Sequence, residues 1–124
     1  MKNIDSRTHV RGESIYLDDI PVLEGTLFGA AFGSPIAHGH LKKLDISEAE
    51  AMPGVVKVFT AKDITGENQI GGICPDEPLF AEDVVDFCGM PVAFVVAESS
   101  ELAKAALKKI KVEIELFCLF NRLA

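Results

Sequence analysis

The chain has 124 residues, 48% of them apolar and 25% charged, with a net charge of -7. That length fits one domain with its own core, and this balance excludes a disordered chain. An acidic chain without a Lys/Arg stripe repels phosphate backbones, which argues against nucleic-acid binding.

The N-terminal MKNIDSRTHV lacks the apolar core of a signal peptide, and no run approaches the ~20 apolar residues of a membrane helix. Cys74, Cys88 and Cys118 are odd in number, widely spaced and without a C-x-x-C pair. This argues against a disulfide framework or a self-contained zinc site and for a reducing, cytoplasmic setting. With no Trp and one Tyr, the core falls to Val, Ile, Leu, Ala and the eight Phe.

Residues 1–24 are polar and turn-rich and read as an extended arm, with Tyr16, Leu17 and Ile20 as its anchors. The first strand spans 26–33, with Thr26, Phe28, Ala30 and Phe32 on one face and Leu27, Gly29, Ala31 and Gly33 on the other. The Gly/Ala face invites close approach of another layer, and the Ala-rich helix further on is expected to pack there. A second strand covers 38–46. Ser47-Glu48-Ala49-Glu50 has the spacing of a capping box and opens a short helix that Pro53-Gly54 stops.

Residues 55–60 form a strand with Val56, Val58 and Thr60 opposite Val55, Lys57 and Phe59. One helical turn follows at 61–64. The stretch 65–83, with Gly66, Gly71, Gly72, Pro75 and Pro78, is the long loop, and loops of that length are commonly functional or interface-forming. A short strand at 84–88 and a Gly89-Met90-Pro91 turn lead to Val92–Ala97. That unbroken apolar run suits a central strand covered on both faces. Ser99-Ser100 caps a helix to about residue 109, with an apolar stripe of Leu102, Ala103, Ala106, Leu107 and Ile110. Residues 111–115 alternate as a last strand. The order β-β-(short α)-β-loop-β-β-α-β is an α+β fold, a mixed or antiparallel sheet with one long helix on a face.

No reaction can be assigned from these residues. His38-x-His40 places two imidazoles on one strand face, but a zinc site needs at least a third ligand and none is clearly placed. Asp18-Asp19 diverge on an extended segment and suit turn capping better than a cation. Glu77, Glu82, Asp83 and Asp86 lack calcium-loop spacing. Gly71-Gly72 belongs to no phosphate-binding motif. Cys88, beside an apolar strand, reads as a buried structural thiol, and Ser34, Ser99 and Ser100 lack a nucleophile elbow. Lys104, Lys108, Lys109 and Lys111 read as a solvated helix face and C-terminal end. Gly25, Gly29 and Gly33 fit G-x-x-x-G, but the run is too short to span a membrane.

Several phrases occur in order: Gly12-Glu13-Ser14-x-Tyr16-x-Asp18-Asp19, Leu27-Phe28-Gly29-Ala30, Ser34-Pro35-x-Ala37-His38, and Pro53-Gly54-Val55-Val56-x-Val58-x-Thr60-Ala61-x-Asp63-Ile64. Asp76-Glu77-Pro78-Leu79, Gly89-x-Pro91-Val92-Ala93-x-Val95-Val96-Ala97 and the Ala-rich helix before Lys111-Val112-Glu113 complete the set. Across residues 9–115 this resembles the molybdenum hydroxylases of the xanthine dehydrogenase and aldehyde oxidase family. More narrowly, it resembles the α/β hammerhead domain that opens their molybdopterin-binding subunit.

The resemblance implies a parent enzyme that hydroxylates a carbon beside a ring nitrogen, or an aldehyde carbon, using molybdopterin-bound molybdenum, iron-sulfur clusters and often FAD. It implies no catalytic, cofactor-binding or metal residue in this chain, because those lie in later domains. It casts residues 1–24 as an arm, 25–115 as the hammerhead domain and 116–124 as an atypical tail. The expected partners are the remaining molybdopterin-binding domains or the iron-sulfur subunit, and the expected role is structural and interdomain, served by the long loop and the arm. A stand-alone interaction module is the alternative.

Two departures stand out. Met90 replaces a frequent Gln, and the tail Leu116–Ala124 replaces an acidic, Pro-containing continuation, as a frame disruption or a cloning scar would produce. The apolar side chains of that tail are expected to dock on the domain or drive self-association.

Overall fold

The computed structural model describes residues 4–117. The elements are α1 (Ser6–Arg11), β1 (Phe28–Gly33), β2 (Gly39–Asp45), α2 (Ser47–Glu50), β3 (Val55–Thr60), β4 (Val84–Val85), β5 (Pro91–Ala97), α3 (Ser100–Leu107) and β6 (Lys111–Leu116). Single 3-10 turns lie at Leu17–Asp19 and Ala61–Asp63. The strands form two antiparallel three-stranded sheets, ordered β1-β5-β3 and β4-β2-β6, rather than the single sheet expected.

β5 is the centre of the first sheet, pairing with β1 from Phe28↔Ala97 onward and with β3 from Val55↔Ala97 onward. Its Ala93, Val95 and Ala97 have no exposed surface. They pack beneath α2 and α3 through Ala49, Ala103 and Ala106, whose small side chains let helix and sheet backbones approach closely. A second cluster of Ala81, Val85, Met90 and Val92 joins the two sheets. Phe32 and Leu44 touch both clusters and make the core continuous. Met90, the expected departure at 90, is 1% exposed and is among the largest fully buried side chains.

Ser99 caps α3 as its spacing predicts, its Oγ accepting from Leu102 N at 3.2 Å. Gly54, at φ +82°, makes the turn between α2 and β3, and a Cβ there would also meet Leu102 Cδ1 at 2.7 Å.

Four local expectations change. The arm is not wholly extended: it holds α1, and Tyr16, Leu17 and Ile20 are 63, 82 and 55% exposed rather than anchored. Ser47 does not cap α2. α2 begins at Ser47 with Ile46 as its N-cap, so the Ser47 hydroxyl is not at the cap position; its Oγ donates instead to Asp45 Oδ1 at 2.5 Å and its N to the same oxygen at 3.1 Å. The β3 register shifts between Val55 and Lys57, which turns Val55 to the core and leaves Val56 55% exposed. Finally, α3 meets β1 through Ala30 and Phe32, not through Gly29 and Ala31. On that other face the Phe94 ring occupies the notch at Gly29, where a Cβ would lie 2.2 Å from its Cζ.

Candidate functional site

The two strand histidines meet on an aromatic ring. His38 immediately precedes β2 and His40 lies in it, and β2 pairs with β6 through His40↔Glu115 and Gly39↔Leu116. This brings Phe117 beside both imidazoles, with ring centroids 4.6 Å from His38 and 4.4 Å from His40. His38 Nδ1 lies 2.9 Å from the Val85 carbonyl, which can only accept, so this nitrogen carries the proton. Asp86 Oδ1 is 3.7 Å from the same nitrogen. Phe117 N donates to His38 O at 3.4 Å, so the start of the tail docks on the domain. Leu116 stays 66% exposed, and residues 118–124, including Cys118, lie outside the described residues.

Gly39 makes this clasp possible. A Cβ there would lie 2.5 Å from Glu115 O, a backbone atom of the paired strand that cannot swing aside.

The acidic residues are dispersed. Asp19 Oδ2 accepts from Tyr16 N at 2.9 Å, the turn-capping role its position predicts. Glu82 Oε1 accepts from Asn68 Nδ2 at 3.2 Å, and Asp83 contributes its backbone carbonyl to Leu41 N. Among the described residues, no group of three or more His, Cys, Asp and Glu side chains is placed to hold a metal ion.

Cys88 is exposed rather than buried, because β4 ends at Val85 and leaves it in the following turn. Its Sγ reaches Ser34 O at 3.7 Å. Ser34 is 2% exposed, and its hydroxyl closes a local turn by donating to Ile36 O at 2.8 Å and accepting from Ile36 N at 3.0 Å. Lys111 stands on β6 and pairs with Glu48 of α2, which holds the Glu48 carboxyl below its usual range and the Lys111 ammonium above it. Lys42 pairs with Glu115 at 2.6 Å, again lowering the carboxyl. An open cleft of about 610 Å³ lies beside β2, where Lys43, Lys62, Glu82 and Asp83 mix both signs of charge over Leu41 and Leu44.

Two structural anchors escaped sequence reading. Asn68 clamps the ends of the long loop, donating to Phe80 O at 2.7 Å and accepting from Phe80 N at 2.9 Å. Nothing local announces a partner 12 residues away. Asp63 accepts from Lys57 Nζ (2.8 Å), Thr60 N (2.9 Å) and Thr60 Oγ1 (3.0 Å), and these, led by Lys57, hold its pKa down to about 2. The Thr60-x-x-Asp63 spacing was a legible cap signal.

No described helix is long and apolar enough to cross a membrane. Residues 11–116 match the family model described as "Aldehyde oxidase and xanthine dehydrogenase, a/b hammerhead domain". The chain is 43% identical over 113 residues to xanthine dehydrogenase 1 of Arabidopsis thaliana, covering 91% of this chain and 8% of that protein. It is 39% identical to a probable xanthine dehydrogenase subunit of Bacillus subtilis, covering 88% of this chain and 14% of that one. The structure of reconstituted CO dehydrogenase from Oligotropha carboxidovorans is similar with a TM-score of 0.81 and 32% identity, over 94% of this chain and 15% of that one. This chain thus spans a small part of the length of its relatives. It belongs to the aldehyde oxidase and xanthine dehydrogenase family, through its a/b hammerhead domain.

Proposed function

We propose that this chain acts as the hammerhead domain of a xanthine dehydrogenase- or aldehyde oxidase-type molybdenum hydroxylase, with a structural and interdomain role and no active site of its own. The observation that carries this is the shared fold: 94% of the chain superimposes on a segment making up 15% of a much longer enzyme chain. The described side chains support the same reading. Ser34 closes a turn, Asp19 and Asp63 cap turns, and His38 and His40 clasp Phe117. Among the described residues, no three His, Cys, Asp and Glu side chains converge to hold a metal ion. No hydroxylation step is therefore assigned to these residues. Residues 25–115 are the domain proper, 1–24 its arm and 116–124 an atypical apolar tail. Its partners are the remaining molybdopterin-binding domains or the iron-sulfur subunit of a cytoplasmic complex.

A chimera tests this. The matching segment of the Bacillus subtilis protein is replaced by residues 11–116, and the product is assayed for soluble assembly and xanthine oxidation. A folded, active chimera is expected. A chimera that fails to assemble while this chain alone stays folded overturns the reading in favour of a stand-alone interaction module.

A further inference from the structure

The first sheet is covered on one side only. An antiparallel strand with one face in water usually alternates apolar and polar residues, but Val92–Ala97 is apolar throughout. On the inner face Ala93, Val95 and Ala97 are 0% exposed under α2 and α3. On the outer face, Phe94 and Val96 remain half-buried and Gly29 and Ala31 are exposed. The pairings Ala31↔Phe94↔Phe59 and Gly29↔Val96↔Lys57 put these residues in two rows across all three strands.

This face is flat and electrically quiet. The Phe94 ring lies across the notch of Gly29 instead of standing up from the sheet. The one charge in the two rows, Lys57, is paired with Asp63 at 2.8 Å and lies 4.8 Å over the Phe59 ring. The helices α2 and α3 pack on the opposite face, against Ala93, Val95 and Ala97. Two residues of the outer face, Gly29 and Ala31, are small enough for a partner backbone to approach closely.

We propose that this outer face of the β1-β5-β3 sheet is where the remainder of a hydroxylase large subunit packs, supplying the missing second layer. This rests on the function proposed above. The occupant follows from length: the whole face lies within residues 11–116, which relatives carry as about a twelfth to a seventh of their chains. Most of such a chain thus lies outside this domain and must pack against it. A second copy of this chain is the competing occupant.

Ala31→Glu and Ala31→Arg test it, because Ala31 is exposed and is not among the side chains packed on either core cluster. In the isolated full chain both variants are expected to keep the parent thermal midpoint. In the Bacillus chimera both should lower folded, soluble product on the order of tenfold, since either sign of charge would be buried unpaired. Lys104→Glu, on the solvent side of α3, serves as the control and is expected to change nothing. If the parent chimera folds and both Ala31 variants fold equally well, the interface is wrong while the functional reading stands. If the parent chimera itself fails, the functional reading falls and this inference falls with it. If the isolated chain is a dimer that Ala31→Glu converts to monomer, the face is a self-association surface and the proposal is overturned.

Discussion

Asp63 shows how one side chain organises its surroundings. Its carboxylate accepts from a lysine, a backbone amide and a hydroxyl at once, tying β3 to the turn that follows. Its pKa is lowered from 3.8 to about 2. A depressed carboxyl contributes stability that is fully present above its unfolded value and lost as pH falls through the folded one. Asp63→Asn should therefore be less stable than the parent at neutral pH, and the gap should close between about pH 4 and pH 2. Urea melts of both proteins across that range check it; a gap independent of pH would refute the assignment. Glycine positions separate two kinds of close contact. At Gly39 the obstacle to a Cβ is the Glu115 backbone, whereas at Gly29 it is the end of the Phe94 ring, which can rotate. Gly39→Ala should cost about 1–3 kcal/mol and Gly29→Ala less, measured by denaturant unfolding. Equal costs would mean that Phe94 is locked in place.

At the scale of elements, the cap signals split instructively. Ser99 caps α3 as its spacing demands, and Ser99→Ala should cost about 1 kcal/mol, read from the urea midpoint. A cost near zero would mean that α3 is held by Ala103 and Ala106 alone. Ser47, with an equally good spacing, does not cap, because α2 already begins at Ser47 with Ile46 as its N-cap, and its hydroxyl donates back to Asp45 instead. The strands were legible where β propensity and pattern agreed: β3 and β5 start and end where alternation, Pro91 and the apolar run place them. The face of β1 that meets α3 was not, because Gly and Ala were read as an invitation to the helix. The ring that takes that space comes from β5, on the order of 60 residues later.

The whole molecule shows the same division between near and far. The family likeness was legible, since its phrases occur in order along the sequence. The pairing of six strands into two sheets rather than one was not legible, because strand partners are chosen by long-range register. The clasp of Phe117 by His38 and His40 likewise depends on β6 lying against β2. The uncovered outer face of the first sheet belongs to this scale, and the Ala31 variants and the chimera test whether a larger assembly covers it. Their outcomes distinguish a domain that awaits the rest of its subunit from one that stands alone.

What the amino-acid order determined by itself was the run of elements from β1 onward, the central apolar strand, the helix cap at Ser99 and the family likeness. These depend on local spacing, capping chemistry and periodicity, which act over a few residues. Tertiary structure alone decided which face of each strand is covered, which hydroxyl caps and which closes a turn, and where the histidines find their aromatic partner. Those outcomes depend on which distant side chain reaches a given space first, and no local pattern encodes that competition.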